Sequence, residues 1–356
     1  MMMNHEIASI PYVREILYPG TDREGRNLDE LERALLDSWD LRAKVEKKLS
    51  KCSRKVTMTT AYDYDDNHLP ATLRQVLVKK AEGLYRQTWS PNDHDFQQGI
   101  WRNVAFTTPL MRSVAHRNTH GFRTKRSHAT AIDEVLFATT KGPAVILQID
   151  IEDCFPTLAF QHLRGTILRG RLETYILRIH ERYRQAVKNK GPIGQGLPAG
   201  HPTSPSIAVM AIDELLRPIR EAWNGVVVIV YADDMTIIGP NVKWAGKALR
   251  EIEAALGLQG MKLNYSKTRY TDPDMGGKIE LLGYEVDWSM GRANPIVRPK
   301  MRAFTRLTEK VAAAPDPPTI KRIIEGWLNA YNRSNDPELT ARMKDAVCHG
   351  QRLRAN

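Results

Sequence analysis

The stretch "VVVIVYADDMTIIG", Val226 to Gly239, places two adjacent carboxylates, Asp233 and Asp234, between two apolar runs. Val226–Val230 reads as one strand and the residues after Asp234 as a second, so the acids fall at the tip of an otherwise buried hairpin. Asp-Asp pairs are commonest in solvated turns. Here, however, the flanks are those of a core, and an ionised carboxylate is costly to desolvate unless something pairs with it. A metal ion is the natural partner, and its other ligand should lie elsewhere in the chain.

Working outward, "AVILQIDIEDCF" (Ala144–Phe155) is an apolar run that ends in acids, which suits a buried strand opening on a site at its C-terminal end. Asp150 closes that strand. Neighbouring strands can bring it within a few ångströms of Asp233 and Asp234. Such a cluster repels itself unless divalent cations neutralise it, and hard oxygen ligands in octahedral geometry select Mg²⁺, with Mn²⁺ as a substitute. Mg²⁺ takes one or two protein carboxylates plus substrate phosphates, so a nucleoside triphosphate would complete the site. Two ions about 4 Å apart would activate an attacking 3′-hydroxyl and stabilise the leaving pyrophosphate.

The rest of the composition fits a polyanionic partner. The 356 residues carry a net charge of +11. A basic surface can serve solubility alone, but this charge is clustered. Phe96–Ile132 holds no Asp or Glu, yet carries Arg102, Arg112, Arg117, Arg123, Lys125 and Arg126. Arg292–Asn356 has 13 Lys/Arg against 6 Asp/Glu. Two basic zones flanking a segment with buried acids suggest a groove holding nucleic-acid backbone on both sides of a reaction centre. Cys52, Cys154 and Cys348 are scattered, which argues against a disulfide framework or structural zinc. There is no long apolar run and no signal-peptide pattern, so a cytoplasmic protein without membrane association is expected.

The pattern predicts amphipathic helix near Leu28–Trp39, a second helix over 70–86, a loop at "WSPNDHDFQQG", and irregular basic chain over 101–130. Helix is expected after Phe155 to about Lys190. "GPIGQGLPAGHPTSP" must be loop, with Ser204 as N-cap and Pro205 at the first position of the next helix. A helix through "KWAGKALREIEAALG" follows the hairpin, then short strands near "KTRYT" and "KIELLGYEV". Three helices separated by "APDPP" and "SNDPE" complete the chain. This order makes an α+β fold with helices on one face of a sheet.

Several motifs, in order over roughly residues 100–290, resemble the palm of reverse transcriptases. "IDIEDCF" is similar to their first catalytic motif, "GLPAGHPTSP" to their glycine-rich motif, and "YADD" to their catalytic hairpin. "GMKLNYSKT" and "LLGYEV" resemble the next motif and the primer-grip hairpin. "HGFRTKRSHATAI" resembles a segment of bacterial reverse transcriptases near group II introns. The resemblance implies a right-hand polymerase with a ferredoxin-like palm sheet and a helical thumb. It divides the chain into a helical N-terminal region or fingers extension (1–95), basic fingers (96–143), palm (144–290) and thumb (291–356).

Carried over residue by residue, it makes Asp150, Asp233 and Asp234 the metal-holding catalytic acids, with the Ile151 carbonyl nearby. Asp153 would position the turn facing the triphosphate, beside Cys154. Phe155 would be the steric gate that rejects a 2′-hydroxyl. Gly200, Ser204 and Pro205 would shape the pocket for base and template, Tyr231 the primer end, and Leu282-Gly283 the primer grip. Lys267 would face the triphosphate as a proton donor. Arg102, Arg123, Lys125 and Arg126 are candidates to grip triphosphate or backbone. One departure is Ala199, where the family usually carries a nucleotide-contacting Gln.

The implied activity is RNA-directed DNA polymerisation with two Mg²⁺ ions, an RNA template, a DNA or RNA primer and deoxynucleotides. A cognate non-coding RNA or a protein partner, and a role in antiviral defence, follow from the same resemblance. The Val-Thr-Gly of retron enzymes is absent, which favours an intron-like or defence-associated lineage. No maturase, endonuclease, nuclease H or integrase segment is expected. Two other readings keep the same residues: a template-independent or protein-primed polymerase of abortive-infection type, and a non-catalytic RNA-binding scaffold. Trp327 and Tyr331, four apart beside Lys321 and Arg322, could face a duplex or pack a core.

Overall fold

The computed structural model describes residues 39–51, 73–79, 85–123, 125–142, 144–158, 160–165, 167–168, 170–187, 195–291 and 293–355. The helix expected near Leu28 lies largely outside these, as does Cys52; the first described helix is α1 (Trp39–Leu49). By internal packing the chain forms two compact units. The first comprises the described parts of Met1–Arg123, Ile151–Pro218 and Ile252–Leu263, and the second comprises Thr124–Asp150, Ile219–Glu251 and Asn264–Asn356.

In the second unit, four strands make one sheet: β3 (Val145–Asp150), β4 (Val227–Tyr231), β5 (Asp234–Gly239) and β6 (Arg269–Thr271), in the order β4-β5-β3-β6. With helices between β3 and β4 and between β5 and β6, this is the βαββαβ ferredoxin-like arrangement. β3 is paired on both edges, to β5 and to β6. Its Val145–Ile149 segment is almost wholly buried, which explains a continuous apolar run rather than an alternating one. Helix α4 (His128–Thr140) covers one face with Ala131, Ile132 and Val135, packed against Ile146, Ile229 and Ile238.

The far end of β5 is pinned by a close approach. A Cβ on Gly239 would lie 2.1 Å from the Trp244 ring, which in turn stands edge-on to Trp223 at 5.6 Å. Only glycine fits there.

A second sheet, β7 (Lys278–Leu281), β8 (Tyr284–Asp287) and β9 (Ile296–Pro299), is antiparallel throughout. β9 carried no clear sequence signal. Helices α9 (Met301–Ala312), α10 (Pro317–Ala330) and α11 (Leu339–Ala355) follow as a small bundle. Trp327 and Tyr331 belong to its core: Trp327 is buried against Phe304, and Tyr331 stacks between Trp327 and Tyr284.

The first unit corrects three expectations. The described part of 70–86 is not helical; β1 (Arg74–Lys79) pairs with β2 (Tyr85–Ser90) as a hairpin, beside a small core of Leu73, Tyr183 and Val187 with Trp89. The "WSPNDHDFQQG" loop is mostly helix α2 (Asp93–Arg102). Its loop-like residues are a cap: the Asn92 side chain accepts from the Asp95 N–H at 2.7 Å, and acids fill the first turn. The described residues of 101–123 also take regular structure, through a π-helical turn (Asn103–Thr107) and α3 (Thr108–Val114), and in the second unit Ser127 closes a capping box on α4. After the single turn α5 (Cys154–Thr157) comes α6 (Gly170–Ala186). Helices α7 (Ser204–Ala222) and α8 (Val242–Leu258) contribute residues to both units.

Candidate active site

The β3–β5 register sets Asp150 directly opposite Asp234, and the β4–β5 register sets Tyr231 opposite the same residue. Asp233 sits in the two-residue turn with Ala232, whose φ of 58° is left-handed. Alanine tolerates that region poorly. Among the described residues, the other non-glycines with positive φ are Phe122, Lys125, Asp153 and Leu282. Asp153, Leu282 and Lys125 are all candidate site residues, and such strain tends to persist where function over-determines it.

Asp150 is nearly buried, and its carbonyl accepts from the Asn264 N–H at 2.9 Å. Its two carboxylate oxygens lie 3.0 and 3.2 Å from Lys267 Nζ. The residue surface of Asp234 remains open to solvent, but its carboxyl is crowded. That burial, with the charges of Asp233 and Asp150, pushes its pKa up to about 6 against the opposing pull of Lys267 and Lys300. A group that resists ionisation beside two other acids is short of positive charge.

These residues open on a polar cleft of about 430 Å³, lined also by Arg269, Lys278, Glu280, Leu282, Gly283 and Lys300. Lys300 reaches Glu280 at 2.6 Å, and its N–H donates to the Gly283 carbonyl. A ring of cations around two carboxylates suits phosphate oxygens arriving with a divalent ion. Among the described residues, no three His, Cys, Asp or Glu side chains converge tightly enough to enclose a metal unaided. Asp150 and Asp234 face each other across β3 and β5, and a divalent ion held by such a pair can complete its shell with phosphates and water. The donor set fits such an ion.

Tyr231 packs on the His128 ring at 4.7 Å, at the start of α4. Lys125 is exposed and Arg126 half-buried in the same unit.

The remaining candidates belong to the first unit, where Ile151 and Cys154 are buried, Asp153 is exposed and Phe155 is half-buried. The glycine-rich loop is zipped onto the Phe155 turn: Gly196 N–H donates to the Pro156 carbonyl at 2.9 Å and Leu197 N–H to the Phe155 carbonyl at 2.8 Å. Farther along, Ala199 accepts from Trp89 N–H at 2.7 Å, and Gly200 has a φ of 110° that favours glycine. Ser204 is buried, and its hydroxyl donates to the Pro198 carbonyl at 2.9 Å; Pro205 follows it in the first turn of α7. Thus Phe155, Ala199, Gly200 and Ser204 share one packed loop cluster.

Two candidate cations are engaged inside this unit. Arg102 is buried, stacked 3.9 Å over the Tyr175 ring and bonded to Gln98. Arg123 donates to the His116 and Thr119 carbonyls. Lys300 and Glu280 of the cleft escaped the sequence reading as site residues; Glu280 directly precedes "LLG" in the chain, whereas Lys300 reaches it only through its N–H on the Gly283 carbonyl.

A family model described as reverse transcriptase (RNA-dependent DNA polymerase) matches residues 78–286, more than half of the chain. Among curated proteins, the retron Mx65 reverse transcriptase of Myxococcus xanthus is 27% identical over 242 residues, covering 63% of this chain and 53% of its own length. The retron Mx162 reverse transcriptase of the same organism is 24% identical over 218 residues, covering 54% and 43%. The chain spans about half the length of these curated relatives. Both are retron enzymes, so the intron-like lineage inferred from the missing Val-Thr-Gly gains no support. An apo telomerase structure from Candida tropicalis shares the fold, with a TM-score of 0.50 and 12% identity over 86% of this chain and 60% of that one. Among the described residues, no helix is long and apolar enough to cross a membrane.

Proposed function

The chain belongs to the reverse transcriptase family, whose members use divalent metal ions, and from that premise we propose that it is an RNA-directed DNA polymerase extending a primer 3′-hydroxyl with deoxynucleotides. The observation that carries this reading is the β3–β5 register, which sets Asp150 against Asp234 beside Asp233 at the mouth of a cation-lined cleft. Residues 144–290 would serve as palm and 291–356 as thumb, with 96–143 as basic fingers and 1–95 as their extension. An RNA template, a primer and a cognate RNA are the proposed partners, in the cytoplasm.

Asp150, Asp233 and Asp234 would hold two Mg²⁺ ions, which supply activation of the attacking hydroxyl and neutralisation of the leaving pyrophosphate. Lys267 pairs with Asp150, so its ammonium can pass to the triphosphate once Asp150 is otherwise neutralised, and there donate a proton. Lys300 and Arg269 supply fixed positive charge in the same cleft. Phe155, held from behind by the glycine-rich loop, would exclude a 2′-hydroxyl by packing.

The test is deoxynucleotide incorporation by purified protein with Mg²⁺, with and without primed RNA, beside Asp233→Ala/Asp234→Ala. Template-dependent product that falls by about a thousandfold in the variant supports the proposal, since several kcal/mol of charge stabilisation are lost. Product without template, or covalently attached to the protein, would replace it with a protein-primed or untemplated polymerase. RNA binding that needs no metal, with no incorporation even alongside native RNA, would leave a scaffold.

A further inference from the structure

The glycine-rich loop carries a histidine that the proposed chemistry leaves unused. His201 is 2% accessible. Its Nδ1 accepts from the Thr203 N–H at 3.3 Å and lies 2.9 Å from the Thr203 hydroxyl. A ring nitrogen that accepts from an amide is unprotonated, so the proton rests on Nε2, which stands 3.4 Å from the Tyr175 hydroxyl. Burial, helped by the Arg102 charge, pulls the imidazole pKa down to about 3, so the ring stays neutral.

Three elements converge on that ring. From α6, Tyr175 is held under the Arg102 guanidinium. From α2, Gly99 makes room: a Cβ there would stand 3.1 Å from His201 Cε1. From the loop itself, the His201 N–H donates to the Pro198 carbonyl at 3.2 Å. Ala199 and Gly200 are therefore suspended between the imidazole anchor and β2, where Trp89 N–H meets the Ala199 carbonyl and the Trp89 carbonyl lies 3.2 Å from where a Gly200 Cβ would be. Ala199 offers only a methyl group. What this turn can present to a nucleotide is therefore backbone geometry.

We propose that His201 is a positioning residue that fixes the Ala199–Gly200 turn in the conformation that receives the incoming deoxynucleotide. The inference rests on the nucleotide-binding role given to that turn above. If the turn is correctly placed only part of the time, apparent nucleotide affinity falls by the competent fraction, while turnover of the bound complex is spared.

The variants are His201→Leu, which fills the space but orphans the Thr203 donors, and His201→Asn, whose side-chain oxygen can accept from the N–H two residues on. Tyr175→Phe removes only the hydroxyl contact. Two quantities are measured: KM and kcat for deoxynucleotide on primed RNA, and hydrogen exchange at the Trp89 amide without any substrate. His201→Leu leaves two Thr203 donors unmade, a shift of about a hundredfold in the turn's equilibrium, and so should raise KM and speed Trp89 exchange by up to about tenfold each, with kcat little changed. His201→Asn should recover most of both, and Tyr175→Phe should fall between.

Unchanged Trp89 protection in a folded His201→Leu protein overturns the proposal. So does faster exchange with an unchanged KM, or an Asn variant as impaired as Leu in kcat and melting temperature. Should the wild-type chain incorporate no deoxynucleotide, the polymerase assignment is what fails, and Trp89 exchange still decides whether His201 holds the turn.

Discussion

Gly196→Ala offers a sharp test of how the glycine-rich loop is built. An added Cβ would stand 2.1 Å from the Phe155 carbonyl oxygen, 2.7 Å from the Leu158 nitrogen and 2.8 Å from the Pro156 carbonyl carbon. All three are backbone atoms, so no side chain can swing away. Relief requires the loop and the Phe155 turn to part, breaking the Gly196–Pro156 and Leu197–Phe155 hydrogen bonds. Overpacking costs about 1–3 kcal/mol and each lost hydrogen bond about 1 kcal/mol, which together give roughly 3–5 kcal/mol.

For a chain of this size that corresponds to a fall in Tm of about 5 °C, read by circular dichroism. Gly326→Ala is the control: it lies inside α10, its Cβ would meet nothing within 4 Å, and it should stabilise by about 0.5–1 kcal/mol through helix propensity. A Gly196→Ala protein melting within about 2 °C of wild type would refute the interlock inferred between the two turns.

Lys267→Gln removes the ammonium from Asp150 and should tighten Mn²⁺ binding to the nucleotide-free protein by up to about fivefold, the worth of a partly exposed ion pair; calorimetric titration with no change would show that the pair does not guard the carboxylate. Asp234 titrates near 6, above its unfolded value, so its contribution to stability is full at low pH and is lost as pH rises through about 6. Mg²⁺ should therefore raise Tm more at about pH 7.5 than at about pH 5.5, and Asp234→Asn should flatten that difference. For Asp287 burial works upward, but hydrogen bonds from Lys278 and Ser289 and the Lys278 charge outweigh it and hold the pKa near 2. Its stabilisation is present above the usual carboxylate range and lost as pH falls toward 2, so Asp287→Ala should cost about 2 kcal/mol in urea denaturation at neutral pH and nothing extra in strong acid.

The four-stranded sheet was legible because its signals are local. An apolar run, two acids and a second apolar run can form little but a hairpin, and a strand ending in Asp150 needs a neighbour on each edge. The β1–β2 hairpin was not legible, because its strands are fixed by contacts with Leu73, Tyr183 and the Ala199 carbonyl, the last two about a hundred residues downstream. Helix α2 was missed for a different reason: Asn92, Asp93 and Asp95 favour turns and helix starts alike, and only the cap geometry separates them. The carboxylate positions could be anticipated from motif order. The Lys267–Asp150 pair could not, since it depends on β3, β6 and the turn between Asn264 and Thr268 closing together. His201 gave no signal at all, for a lone histidine in a loop is ordinary until its burial is known.

The indole resting on Gly239 gives β5 an optical address. Trp244 covers the end of β5 whose other end carries Asp234, so any slip of the strand must lift that ring and alter its stacking on Trp223. The difference spectrum between wild type and Trp244→Phe would isolate this emission. The protein thereby reports the seating of β5 by fluorescence, without a label placed anywhere near the carboxylates.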